Sequence, residues 1–434
     1  MIGLVVDPGP FAWTFGKVVD GRLAAVRVLE RVAGIEEAPF LGRITRHAPD
    51  LGGAFVDVGG LALLVRLPAK LRRGRLSEGT RLLVQGVRDA VADKPPRGSA
   101  RWHVPGRWLE RRGDAGSPDV DEAVPPDRRA ALARRARALF EDRPIRLRPR
   151  AADVADDALL AEAAKLERRL ERWMERAATE KPGPLATFED RIAAVLAAFD
   201  IGPDVAVTTR SPHRLDVQKK LRAALETEAD LVIESSDDPW ATAGVSEAWG
   251  AAFAAEVLLA GGGRLTIEPT RALVAVDVDR GPRTGAVASV NQAAITALVE
   301  AIAVRQLAGQ IVVDFLDPGG PDGRRSLQRE LEKALPAVDG HLVGLLAGGL
   351  AVIERPRRTA ALHERHDPVR AAATALLAAA VAEPLAKWRV AADVDAFLLR
   401  PAVRTLAEGW LAPSGLTLQA VRDPNLAPAS YARA

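Results

Sequence analysis

The 434-residue chain contains no cysteine. Disulfides and thiolate-bound zinc are therefore excluded. Aromatic residues are scarce, at 4% of the sequence against 48% for all apolar types, so cores must be built mainly from Ala, Val and Leu. No run approaches eighteen apolar residues, and residues 1–30 show no basic start leading into an apolar core and a small-residue cleavage site. The expectation is a soluble cytoplasmic protein with no membrane partner. An excess of charge of one sign is missing too: 60 Lys and Arg stand against 57 Asp and Glu, a net +3. That balance neither favours nor excludes a polyanionic partner, because the distribution of charge decides it rather than the sum. "AGGGRL" (260–265) lacks the Lys-Ser/Thr ending of a phosphate-binding loop. No Ser/His/Asp or Cys/His arrangement points to covalent catalysis.

What is present begins with strands. Residues 1–33 read as β-structure, with Asp20-Gly21 as a hairpin turn between two apolar runs. Residues 40–92 continue as short strands separated by glycine turns, a pattern that predicts a small barrel. A Pro/Gly-rich break follows at 93–108. Helices are predicted over 126–142 and 155–178, the second with Leu159, Leu160, Ala163, Leu166, Leu170 and Trp173 on one stripe. After "EKPGP" (180–184), helices at 187–199, 214–226 and 246–258 alternate with strands at 205–209 and 230–235. The alternation runs on to residue 358. "LHERHDP" (362–368) reads as a solvated linker before a helix at 369–382 and a small α/β tail.

The chemistry concentrates in two strands. "RALVAVDVDRG" (271–281) has the apolar order of a buried strand, yet carries Asp277 and Asp279. Side chains alternate along a strand, so these two share a face about 7 Å apart. A helical pattern over 288–307 leads to "IVVDFLDPGG" (311–320), which places Asp314 in mid-strand and Asp317 at its end. This is a β–α–β unit, and parallel sheets bind ligands at the carboxyl ends of their strands. Asp277, Asp279 and Asp314 are expected to meet there. Three carboxylates need a cation, and a hard divalent ion such as Mg²⁺ fits oxygen ligands and phosphate substrates. The alternative is that each Asp is a strand-end or turn residue paired with Arg280 or Arg283.

At these residues the sequence resembles the catalytic region of the ribonuclease E/G family. The likeness lies in "LAGGGRLTIEPTRALVAVDVDRG" (259–281), the helix containing Asn291, "LAGQIVVDFLD" (307–317) and "GGLAVIERPRR" (348–358). Upstream, "LGRITRHAPDLGGAFVDVGG" (41–60) is similar to the opening of that family's S1-type domain, and "LQAVRDPNLAPASY" (418–431) to its C-terminal end.

The resemblance implies a multidomain α/β protein. An RNase H-like part (1–36 with 183–258) would hold an inserted S1-type OB barrel (37–105) and a helical region like the family's 5′ sensor (106–182). A DNase I-like catalytic domain (259–360) and a small C-terminal α/β domain (369–434) would follow. It implies a Mg²⁺-dependent endoribonuclease acting on single-stranded RNA, with one ion on Asp277 and Asp314. The family's catalytic Asn position falls on Asp279, a departure. Family RNA-contact positions fall on Lys94 in the barrel region and on Arg148 or Arg150 at the 5′ end; from the residues themselves, Phe55 is expected to stack on a base or else fill the barrel core, and Arg355, Arg357 and Arg358 to hold the scissile backbone or else cap a surface edge. The family's cysteine zinc clasp would lie in "TAALHERHDPV" (359–369), where only His363 and His366 stand. Neither zinc nor a zinc-linked dimer is expected, although another homo-oligomer stays open. The second reading is a catalytically weakened RNA-binding relative, and the third a phosphohydrolase of small nucleotides.

Overall fold

The computed structural model describes residues 1–31, 34–68, 71, 76–88, 95–113, 116–122, 124–281, 286–357, 360–365 and 367–434. Strands β1 (Ile2–Pro8), β2 (Ala12–Val19) and β3 (Arg22–Glu30) open an antiparallel layer. Asp20 and Gly21 both have positive φ (49° and 76°) and form the expected tight turn between β2 and β3.

The chain then leaves this layer. β4 (Pro39–Ala48), β5 (Gly53–Asp57), β6 (Ala62–Arg66), β7 (Arg81–Arg88) and β8 (Arg97–Ser99) form one sheet. It runs in the order β4-β5-β6-β8-β7 and closes on itself through β4–β7. Phe40, Ile44, Ala54, Val56, Leu63, Val65 and Val84 fill this five-strand barrel.

A second sheet follows, made of β9 (His103–Pro105), β10 (Leu109–Arg112), β11 (Asp119–Val120) and β12 (Ile145–Leu147). It packs with α1 (Pro126–Phe140) and α2 (Asp156–Thr179). The α2 stripe buries Leu159, Ala163, Leu166, Leu170 and Trp173 as read, whereas Leu160 is exposed. The Glu162 carboxylate of α2 accepts the backbone N–H groups of Arg107, Trp108 and Leu109, which pins the β9–β10 hairpin to the helix.

The short β13 (Gly183–Pro184) pairs with the barrel edge. α3 (Phe188–Phe199) starts with a Thr187/Asp190 capping box. β14 (Ala206–Arg210), α4 (Arg214–Leu225) and β15 (Ile233–Ser236) then return the chain to its first layer, with β14 parallel to β1. The expected helix over 246–258 is shorter. α5 (Pro239–Thr242) and α6 (Ser246–Ala251) give way to β16 (Glu256–Leu258), because residues 256–258 pair with β17 (Arg264–Pro269).

β18 (Val274–Asp279), α7 (Val287–Arg305) and β19 (Gly309–Asp314) form the β–α–β unit, followed by α8 (Gly320–Ala334), β20 (His341–Leu345) and β21 (Leu350–Arg355). The sheet order is β16-β17-β18-β19-β21-β20, with β18 and β19 parallel. α7 is long and apolar enough by composition to cross a membrane. Its apolar character has a local cause, since a helix that is hydrophobic all round is a buried one. Ala294, Ile295, Leu298 and Ile302 lie in the core of this sheet. Val304 packs with Val5, Val18, Leu23 and Val26 of the first layer. The helix is a shared wall between two sheets.

α9 (Pro368–Ala382), β22 (Trp388–Val390), α10 (Ala392–Leu398), α11 (Pro401–Leu411), β23 (Ala420–Arg422) and β24 (Tyr431–Arg433) complete the chain. Phe11 from the β1–β2 turn enters the core of this last region and meets Phe397 edge-on at 5.2 Å. Leu362 and Arg365, in the stretch the sequence implied to be a solvated linker, are instead packed into the structure. Arg365 is about 10% exposed and pairs with Glu36 at 2.6 Å and Glu30 at 3.6 Å, while Arg370 pairs with Glu30 at 2.6 Å. His363 is exposed, and His366 lies outside the described residues.

His213, at the start of α4, stacks on Trp410 of α11 with ring centroids 4.0 Å apart. Burial holds its pKa below the ordinary histidine value, assisted by Arg210 and Arg31 and opposed by Asp216 and Asp7. A depressed histidine pKa contributes stability above the unfolded value of about 6.5 and loses it as pH falls through the folded value. The melting temperature should therefore fall more steeply between pH 7 and pH 5 for the native protein than for His213→Phe. Parallel pH profiles would contradict this.

Candidate active site

The last large sheet has two unlike faces. Val274, Val276, Val278, Ile311 and Val313 turn to α7 and α8. Asp277 and Asp314 turn the other way and are exposed. The apolar run of β18 thus belongs to a strand buried on one face only, and neither of these two carboxylates carries a burial cost. Asp314 is the last residue of β19, not a mid-strand residue.

Register brings the two acids together. β18 and β19 run parallel with Asp277 directly opposite Asp314. Paired residues share a face, and neighbouring strands lie about 4.8 Å apart, so the two carboxylates stand side by side at the carboxyl ends of their strands. Neither has a hydrogen-bond or ion-pair partner among the described residues. Two carboxylates this close repel each other, and a cation between them offsets that repulsion. Two open carboxylates with room for water match the donor set Mg²⁺ takes. Asp277 and Asp314 are thus the residues that could hold such an ion. The described residues contain no cluster of three or more His, Asp or Glu of metal-binding geometry.

Asp279 corrects the expectation of three converging carboxylates. It lies on the same face, but one oxygen accepts the Gly281 N–H at 2.7 Å and the other accepts Arg264 Nη2 at 2.9 Å. The Gly281 N–H and the Arg264 guanidinium hold its carboxyl below the usual carboxylate range. Arg264 is its register partner across β17 and β18. The glycines of "AGGG" serve this contact: a Cβ on Gly263, whose φ is +99°, would stand 2.7 Å from the Asp279 carbonyl oxygen. Asp317 is a turn residue whose carboxylate accepts the Gly319 N–H at 3.0 Å.

Asn291 supports the site from behind. Its side chain is buried in α7, donates to the Leu316 carbonyl at 2.8 Å and accepts the Leu316 N–H at 3.2 Å. The two bonds fix the chain just after Asp314. Sequence reasoning found this residue as part of a motif without its role, and missed Arg264. Strand register, which pairs Arg264 with Asp279, is not written in either strand alone.

The residues expected to touch RNA fare differently. Phe55 is half-buried on the outer barrel face, since Ala54, Val56 and Val58 take the inner one. The Arg46 guanidinium lies 4.6 Å from its ring centroid. A partly exposed ring beside a guanidinium is a platform on which a base can stack. Lys94 and Arg358 lie outside the described residues.

Arg148 donates to the Ala197 carbonyl at 3.3 Å, and Arg150 pairs with Asp200, which also takes Arg107 Nε at 2.8 Å. Both arginines thus help tie the inserted region to α3. Arg355 corrects the sequence reading. It shares the inner face of β21 with Ala351 and Ile353, is about 9% exposed, and donates to the carbonyls of Val338 (2.6 Å) and Leu307 (2.8 Å). Its guanidinium is an internal brace with no access to a substrate. Arg357 is half-buried and pairs with Glu364.

Comparison with known proteins agrees with this geometry. The sequence profile of the ribonuclease E/G family matches residues 123–355, more than half of the chain and including both open aspartates. The chain belongs to the ribonuclease E/G family, a class of endoribonucleases. Within it, the chain is 25% identical over 359 residues to ribonuclease G of Salmonella typhimurium (strain SL1344), covering 73% of this chain and 72% of that one. It is 26% identical over 383 residues to ribonuclease G of Escherichia coli (strain K12), covering 78% and 76%. Ribonuclease E of Synechocystis sp. (strain ATCC 27184) is 24% identical over 358 residues, 75% of this chain and 52% of that protein.

Replacing Asn291 by Ala should cost about 1–3 kcal/mol, because it strands the two part-buried backbone groups of Leu316. Urea unfolding of Asn291→Ala measures this, and an unchanged midpoint would contradict the clamp.

Proposed function

We propose that the protein cleaves single-stranded RNA on the open face of the β16–β21 sheet. One observation carries the reading: two carboxylates without a partner among the described residues, Asp277 and Asp314, stand in register at the carboxyl ends of adjacent parallel strands. Asp277 and Asp314 would hold one Mg²⁺, which when bound supplies an activated water and offsets charge at phosphorus. Asn291 keeps Asp314 in place through Leu316. Asp279 fixes the Arg264 guanidinium beside the pair. Phe55 on the barrel would stack a base and so favour unpaired strands, because a duplex hides the base faces. The proposal carries with it a cytoplasmic location, no membrane, and the RNase H-like, S1-type and DNase I-like layout of the family.

Incubation of end-labelled single-stranded RNA with Mg²⁺ tests the reading. The native protein should cut internally, chelation should stop it, and Asp314→Ala should lose activity by about a hundredfold or more. No Mg²⁺-dependent cleavage by the native protein, with RNA binding intact, would favour the weakened RNA-binding relative instead. Cleavage unchanged in Asp314→Ala would overturn the site. In the same assay, Phe55→Ala should weaken RNA binding by about 1–3 kcal/mol while leaving the saturated rate near native.

A further inference from the structure

We infer that Arg264 is the protein's own cation for the scissile phosphate, and that Asp279 acts by holding it there. This deepens the reading above and rests on it.

The argument begins with charge. Pairing across β16, β17, β18 and β19 puts Glu256, Glu268, Asp277, Asp279 and Asp314 on one open face. An RNA phosphate approaching five carboxylates is repelled unless cations stand among them. One Mg²⁺ on Asp277 and Asp314 offsets only the charge of those two. Arg264 is on the same face, opposite Asp279.

Position is the second point. Thr266, Asp277 and Asp314 form one row across the sheet, and Arg264 and Asp279 form the next. Rows on one face are about 7 Å apart, a separation that a phosphate group with its oxygens can bridge. The guanidinium therefore stands where it can take one non-bridging oxygen while the aspartate pair serves the other side of phosphorus.

Orientation is the third. Arg264 Nη2 bonds Asp279 at 2.9 Å, and Nη1 lies 3.6 Å from Glu256. Two acids grip the group from both sides, yet its side chain remains 47% exposed. The bond to Asp279 uses one of five N–H donors, leaving others for a ligand. A donor fixed before the reaction stabilises charge that develops during it without reorganisation.

The same contact gives a reason for the Asp at position 279. The Asn of the resembled family would present its own amide donor there. An Asp presents none, but it orients a guanidinium through a charge-assisted bond that a neutral amide makes only weakly. Arg264 and Asp279 then act as one unit: Arg264 contacts the phosphate, and Asp279 positions it.

The test is a double-substitution cycle read by single-turnover cleavage of single-stranded RNA, with melting curves to verify folding. Arg264→Ala should slow the saturated step about a hundredfold, as loss of one fixed donor does elsewhere. Arg264→Lys should recover only part, lacking the planar fork. Asp279→Asn in the Arg264→Ala background should cause no further loss, because the carboxylate acts only through the arginine. Independent, multiplying losses would overturn the inference, as would native rates in folded Arg264→Ala.

A second measurement stands apart from cleavage. In EDTA, Arg264→Ala should weaken RNA binding and lower the salt slope by about one. An unchanged slope would count against Arg264 alone. Absence of cleavage by the native protein would count against the proposed function, and the slope would still report on the contact.

Discussion

The structure turns on the pairing of two like charges. Asp277 and Asp314 are register partners on adjacent parallel strands, and the repulsion between their carboxylates favours a cation joining them. Much of the surrounding architecture serves to keep the pairing. A parallel pair needs a crossover, and α7 supplies one that is buried between two sheets. Asn291 on that helix fixes the backbone two residues past Asp314. Gly263 lets the start of β17 pass close to the end of β18, which aligns Arg264 with Asp279. The acids lie on the solvent side of the sheet, so the repulsion is open to relief by a cation.

A second network ties the parts of the molecule to one another. Glu30 ends the first layer, Glu36 lies between it and the barrel, and Arg365 and Arg370 come from the approach to the C-terminal region. Buried ion pairs add little net stability, but removing one partner leaves an uncompensated charge costing about 3–5 kcal/mol. The network therefore works chiefly as a specificity device, holding the barrel entrance, the first layer and the last region in one arrangement.

What the sequence disclosed and what it hid follow from locality. Asp20-Gly21 declared its turn because the pair suits a two-residue hairpin with positive φ at both positions, as it has here. The α2 stripe and the β–α–β pattern were legible for the same reason, since periodicity within one element reports the face it buries. The acidic pair was legible as residue types and as a strand-end location, but its openness was not. A continuous apolar run does not reveal whether one face or both are covered. Arg355 could have been read correctly, because it shares parity with Ala351 and Ile353 on the inner face of β21. Arg264 and the Arg365 strap could not: their partners are set by register and by tertiary packing, 15 residues away for Asp279 and 329 for Glu36. The chain at 256–258 became a strand because β17 was there to pair with it.

The central claim is that Asp277 and Asp314 together form a cation site. Its most direct test is a titration of the folded protein with Mn²⁺, a spectroscopically visible substitute for Mg²⁺, followed by electron paramagnetic resonance in the absence of RNA. The account predicts one bound ion per chain, displaced by Mg²⁺ and lost in a folded Asp277→Asn/Asp314→Asn variant. Equal binding by that variant, or no displaceable ion in the native protein, would contradict it.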